Sequence, residues 1–183
     1  MKKVCVLLAE GFEEIEALTV SDIMRRAKVE CDLVSIGEKY VKSSHGLVIE
    51  ADKIFDESME YDLVVLPGGM PGAANLRDDE RVIRFIKNQN KSQKLIGAIC
   101  AAPIVLGRAD LTEDIDITSY PGYEDELPNC NYLEDAVVVD KNIITSRGPA
   151  TAMEFSYKLL EKLGYSHEVE NISSGMLYEM FRK

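Results

Sequence analysis

The chain is poor in histidine. It has two, His45 and His167, so a zinc site or a Ser-His-Asp hydrolase has little to work with. Cysteine is also sparse. Cys5, Cys31, Cys100 and Cys130 are scattered, with neither metal-type spacing nor the pattern of a disulfide framework. Positive charge is in deficit: the net charge is −11, which disfavours non-specific binding to nucleic acid or an anionic membrane and favours solubility. No apolar run is long enough to span a bilayer. Val4 to Ala9 is too short for a secretory signal core and runs straight on towards a helix, so it reads as the first strand of a cytoplasmic protein. Internal repeats, linkers and low-complexity tracts are absent, and nothing in the sequence requires a metal, nucleotide or other cofactor.

What is present suits one α/β domain spanning residues 1–183, with 46% apolar residues to fill its core. Strand-like and helix-like segments alternate throughout. The expected order is a strand at Val4 to Ala9, a helix at Glu13 to Ala27 and a strand at Glu30 to Ile36. A small hairpin follows at Tyr40 to Ile49, turning through Ser43 to Gly46 with His45 in the turn, then a strand at Tyr61 to Leu66 and a helix at Asp79 to Asn90. Asp116 to Ser119 reads as a short strand, and Ala136 to Ser146 as a hairpin over Lys141. A helix stopped by Gly164 comes next, and the apolar end through Met176, Leu177, Met180 and Phe181 reads as a closing helix. Cys5 and Cys31 fall in strands as packing residues, whereas Cys130 lies in a polar stretch where it is expected to be exposed and oxidisable.

The stretch Lys94 to Pro103 carries the chemistry. Leu95 and Ile96 begin a buried strand, small residues (Gly97, Ala98, Ala101, Ala102) crowd the turn, and Pro103 opens a short apolar helix. Cys100 sits at that turn, where a nucleophile elbow needs small neighbours and a helix N-terminus favours thiolate. The same residue read alone fits an ordinary buried cysteine. Glu16 lies four residues before Val20, on the inward stripe of its helix. It is either a side chain reaching out to water from the helix start or a desolvated acid with a raised pKa. Gly68 and Gly69 end a strand, where their N–H groups could form an oxyanion hole or simply a tight connection. No Gly-Lys-Ser/Thr follows, so this is not a phosphate loop. In an open parallel sheet, all three segments deliver their residues to one edge, beyond the carboxyl ends of the strands.

Glu13-Glu14-Ile15-Glu16, Pro67-Gly68-Gly69, Ala98-Ile99-Cys100-Ala101 and Thr145-Ser146-Arg147-Gly148-Pro149 resemble the signature blocks of the ThiJ/PfpI superfamily. Within it they resemble the branch of the parkinsonism-associated protein deglycase, in the same order and spacing over nearly the whole chain. The resemblance implies a flavodoxin-like three-layer sandwich with a mainly parallel sheet, helices on both faces and a small β-hairpin. It also implies a homodimer, Cys100 as the reactive cysteine, protonated Glu16 bonded to its thiolate, and backbone N–H groups of Gly69 and Ala101 on an oxyanion. Tyr120, His45, Arg26, Arg147 and Pro149 are placed at the site's periphery.

The chain departs from its relatives at two positions. Animal members have a histidine where this chain has Tyr120, so proton transfer falls to Glu16; His45 replaces an arginine, which alters anion preference. Ala101 stands where the peptidase branch has histidine, which argues against peptidase activity. A glutamine amidotransferase would want a downstream His-x-Glu, but Glu168 follows His167 directly. The expected function is cofactor-independent conversion of a small α-oxoaldehyde such as methylglyoxal to a hydroxy acid, with protein deglycation as a related use of the same hemithioacetal. Stress sensing or chaperoning through oxidation of Cys100, and an inert ligand-binding fold, are the other readings.

Overall fold

The computed structural model describes residues 2–181. The chain runs β1 (Lys3–Leu8), α1 (Glu14–Arg26), β2 (Glu30–Ser35), β3 (Tyr40–Lys42), β4 (Val48–Glu50), β5 (Lys53–Ile54) and β6 (Leu63–Leu66). It continues with α2 (Gly72–Asp78), α3 (Glu80–Lys91), β7 (Leu95–Ile99), α4 (Pro103–Arg108), β8 (Asp116–Ile117), β9 (Asn131–Tyr132), β10 (Val137–Asp140) and β11 (Ile143–Ser146). Helices α5 (Ala152–Lys162) and α6 (Ser166–Gly175) close it. Among the described residues the central sheet has strand order β10-β11-β7-β6-β1-β2-β5, parallel except for β10. The β3–β4 hairpin stands apart from it. No helix among the described residues is long and apolar enough to cross a membrane.

Strand alternation divides the core in two. Val4, Val6, Leu8, Leu63 and Val65 face α1 and α5, meeting Val20, Ile23, Met24, Phe155 and Leu159. Cys5, Leu7, Val64, Leu66 and Ile96 face the other way, against Leu76 of α2, Phe85 and Ile86 of α3 and Ile104 of α4. Strands buried on both faces must be apolar at every position, which explains the unbroken runs. The result is the expected flavodoxin-like sandwich. Helix α5 approaches β7 closely at Gly97, where a Cβ would lie 2.9 Å from Leu159 Cδ2 and 3.0 Å from Phe155 Cζ.

Topology fixes where a site can form. From β1 the chain goes out to β2 and β5, then returns to the other side of β1 as β6. The order therefore reverses between β1 and β6, and a crevice opens beyond their carboxyl ends.

The structure differs from the sequence expectations in a few elements. Helix α2 lies immediately after the glycine-rich turn and was not anticipated; Gly72, Ala73 and Leu76 bury it. The expected closing helix over the apolar end is met only in part: α6 stops at Gly175, Leu177 has φ 60° and breaks the helix, and Tyr178–Phe181 form a separate 3-10 turn in which Met180 and Phe181 are 74% and 80% exposed. The strand expected over Asp116 to Ser119 is confined to Asp116–Ile117. Cys130 is half-buried rather than exposed, with its thiol donating to the Leu127 carbonyl at 3.2 Å.

Phe155 is fully buried where α5 meets the sheet. Phe155→Ala is expected to cost about 3–5 kcal/mol, because the cavity adds to the lost transfer energy. Urea unfolding midpoints at unchanged m-value would show it; a loss under 1 kcal/mol would mean that α5 re-seats onto Gly97.

Candidate active site

Cys100 follows β7 directly, and its backbone is left-handed, with φ 63°. A non-glycine residue there is uncommon and is held only by its surroundings. Its N–H donates to the Ser146 carbonyl at 2.9 Å, and its carbonyl accepts the Tyr120 N–H at 2.9 Å. Both bonds tie the elbow to neighbouring segments. Pro103 begins α4 three residues on, as the sequence pattern requires.

Glu16 enters from the first turn of α1. Glu13 caps that helix, its Oε2 accepting the Glu16 N–H at 2.9 Å. The inward stripe carries the Glu16 carboxyl into the crevice, where the residue is fully buried. Oε2 accepts the Gly68 N–H at 2.7 Å, while Oε1 is buried without a hydrogen-bond partner. Gly68 also accepts the Glu13 N–H at 2.9 Å, so one residue clasps the start of α1 from two sides. A Cβ on Gly68 would lie 2.7 Å from Cys100 Cβ and 2.8 Å from Glu16 Oε2. Only a glycine lets the acid and the cysteine come this close. Gly69, with φ 83°, is equally confined, since a Cβ would lie 2.4 Å from the Glu13 nitrogen.

Burial dominates the electrostatics. It pushes Glu16 up from 4.5 to about 7, against the Gly68 N–H and the Cys100 thiol, which pull it down; the Glu13 charge pushes it further up. The Cys100 thiol is pushed up to about 12, by burial first and then by the Glu16 charge and hydrogen bond. The neighbouring Ala101 and Gly69 backbone N–H groups oppose that rise, and among the described residues neither serves a backbone carbonyl. The helix N-terminus alone had suggested a lowered thiol. Desolvation outweighs it, and the neighbouring acid decides the rest: a charged Glu16 holds the proton on sulfur, whereas a protonated Glu16 can donate to a thiolate. The two groups titrate as a pair.

Of the peripheral residues, Tyr120 binds the elbow through its N–H, and Arg147 and Pro149 lie beside Tyr120. They line one pocket of about 280 Å³, and the Tyr120 ring lies against Gly148. His45 stands at the start of α1, mostly exposed, with Nδ1 3.1 Å from Glu14 Oε2. Glu14 raises the His45 pKa through this bond. Glu13, Glu14 and His45 hold their ligand atoms within 4.8 Å of one another, and the His45–Glu14 hydrogen bond accounts for that grouping without an ion. Arg26 is not at this site. It pairs with Asp22 at 2.7 Å, at the other end of α1, about 15 Å along the helix from Glu16. Two residues that hold the site, Ser146 and Glu13, stand in the signature blocks but were given no role there. Ser146 acts through its carbonyl, which has no sequence signature, and glutamate is not among the usual capping residues.

A cysteine on a left-handed strand-to-helix elbow, backed by a buried acid at the switch point of a flavodoxin-like sheet, defines a class of α/β proteins that pair a thiol with a buried carboxyl. The pattern of the DJ-1/PfpI family matches residues 2–162, and the chain belongs to that family. It is 37% identical over 181 residues to protein dj-1beta of Drosophila melanogaster, covering 96% of this chain and 97% of that protein. It is 35% identical over 176 residues to the glutathione-independent glyoxalase DJ-1 of Schizosaccharomyces pombe, covering 89% and 92% of the two chains. The solved structure of oxidized Toxoplasma gondii DJ-1 superposes with a TM-score of 0.92 at 36% identity, covering 97% of this chain and 98% of that one.

Glu16 takes up a proton on folding wherever the pH lies between its unfolded value and its raised native value. The native state therefore binds more protons there, and stability falls as pH rises from about 4.5 to about 7. Glu16→Gln removes this slope. Above neutral pH the variant is expected to exceed wild type by up to about 3 kcal/mol, measured by denaturant titration from pH 4.5 to 8. A wild-type-minus-variant difference that stays flat with pH would refute the raised value.

Proposed function

We propose that this protein is a cofactor-independent cysteine enzyme acting on small α-oxoaldehydes, of the glyoxalase type. The observation that carries the reading is the buried Glu16 carboxyl, with one oxygen unpartnered, set against Cys100 across Gly68, where a Cβ would lie 2.8 Å from Glu16 Oε2 and 2.7 Å from Cys100 Cβ. The thiol proton passes to Glu16, and the thiolate attacks the aldehyde carbon. The alkoxide that forms is held by N–H groups of Gly69 and Ala101 and is protonated by Glu16, giving a hemithioacetal. Glu16, again a carboxylate, takes the hydrogen from the former aldehyde carbon as a proton, and the electron pair moves onto the neighbouring ketone. Return of that proton to the ketone carbon, with a second proton passing between the two oxygens, leaves a thioester. Water cleaves its carbon–sulfur bond, releasing a 2-hydroxy acid and the thiol. For methylglyoxal the sum is aldehyde plus water to lactate, with no net oxidation.

The relative described as a glutathione-independent glyoxalase supports this reading. The same chemistry on glycated side chains would give a deglycase. A homodimer in the cytoplasm belongs to the same proposal; sedimentation would show about twice the chain mass of 20.4 kDa. A second reading is peroxide sensing. Gly69 and Ala101 N–H groups and a neutral Glu16 would stabilise a sulfinate on Cys100, and one solved relative is described as oxidized.

Lactate formation from methylglyoxal is the test. Cys100→Ser should abolish it, and Glu16→Gln should lower kcat by roughly a hundredfold or more. Product must be followed, because thiols and amines also trap aldehyde reversibly. Aldehyde loss without lactate would refute the enzyme reading, and selective oxidation of Cys100 over Cys130 by peroxide would then favour sensing.

A further inference from the structure

Among the described residues every arginine but one has a carboxylate partner. Arg25 pairs with Asp52, Arg26 with Asp22, Arg77 with Asp78 and Glu126, Arg81 with Asp79, Arg84 with Glu57 and Arg108 with Glu80. Arg147 makes no ion pair and no hydrogen bond among them, and its Nη1 is buried without an acceptor. This occurs in a chain with 32 acidic residues against 21 lysines and arginines, so carboxylates are not scarce. A half-buried guanidinium offers five donors in a planar fork suited to a carboxylate or phosphate. Leaving such donors unmet away from water costs free energy.

Its neighbours hold the Cys100 elbow. Arg147 follows Ser146, whose carbonyl holds the Cys100 N–H. It lines the 280 Å³ pocket with Tyr120, Pro121 and Pro149, and the Tyr120 N–H holds the Cys100 carbonyl. The pocket walls are largely apolar, so few groups other than Arg147 could meet an anion there. The other two cations expected at the periphery are committed elsewhere, His45 to Glu14 and Arg26 to Asp22.

We propose that Arg147 is an anion-recognition residue of this site, and that the favoured substrates are α-oxoaldehydes bearing a carboxylate or phosphate group, with the anion on Arg147 and the aldehyde at Cys100. The proposal rests on the reading above in taking Cys100 as the attacking group. It deepens that reading by giving the substrate a charge.

Alkylation of Cys100 in the full chain tests it. Iodoacetate and iodoacetamide are close in size, share a leaving group and differ in charge; peptide mass mapping isolates Cys100 from Cys130. The iodoacetate-to-iodoacetamide rate ratio is expected to be roughly tenfold higher in wild type than in Arg147→Gln, the loss of one charge-assisted hydrogen-bonded contact. Arg147→Lys should fall between. Inorganic phosphate, against chloride at equal ionic strength, should slow alkylation of the wild type. Equal ratios in wild type and Arg147→Gln overturn the proposal. Where Arg147→Gln does not fold, absence of phosphate protection in the wild type overturns it. The readout is a single alkylation, so it is separate from lactate formation: a retained ratio without lactate would defeat the enzyme reading and leave anion recognition by Arg147 standing.

Discussion

The site depends on a close approach across one crevice. At Gly68 the end of β6 touches both the start of α1 and the elbow after β7. Its carbonyl holds the Glu13 N–H, its N–H holds the Glu16 carboxyl, and its Cα faces Cys100 with no room for a methyl group. These contacts are possible because the sheet order reverses between β1 and β6, which brings the carboxyl ends of non-consecutive strands together. The two-faced core holds those strand ends in register.

That approach also sets the chemistry. Two groups that each prefer to be neutral when buried share one small volume, and backbone N–H groups are the nearest compensation. The charge can sit on sulfur or on the carboxyl, and moving one proton between them moves it. An acid with a native value of about 7 is balanced between the two states at neutral pH.

Much of this was legible in the sequence because the signals were local. Pro103, the small residues around Cys100 and the inward spacing of Glu16 before Val20 each report their own surroundings. The apolar runs reported the strands for the same reason. Helix α2 was hidden because its few apolar residues, Ala73 and Leu76, sit inside a stretch whose prolines and glycines read as turn. The apolar C-terminal end misled because apolar side chains do not by themselves say that a partner surface exists; Met180 and Phe181 stay exposed. Arg26 was misplaced because it stands ten residues beyond Glu16, at the end of α1 that points away from the crevice. The unpaired state of Arg147 is a property of what surrounds it in space, so no spacing in the chain records it.

The left-handed backbone at Cys100 also bears on how the protein tolerates change. That conformation costs roughly 1–2 kcal/mol for any residue but glycine, and the buried Glu16 carboxyl adds a cost of its own. Both positions weaken the fold that carries them. At position 100 only glycine relieves the cost, whereas at Glu16 a neutral residue of the same size relieves the burial cost and removes the acid together. In a lineage where the thiol ceased to matter, drift would lead towards a sturdier and inert protein. A member that keeps the cysteine in this strained setting beside a buried acid remains on the less stable side of that exchange.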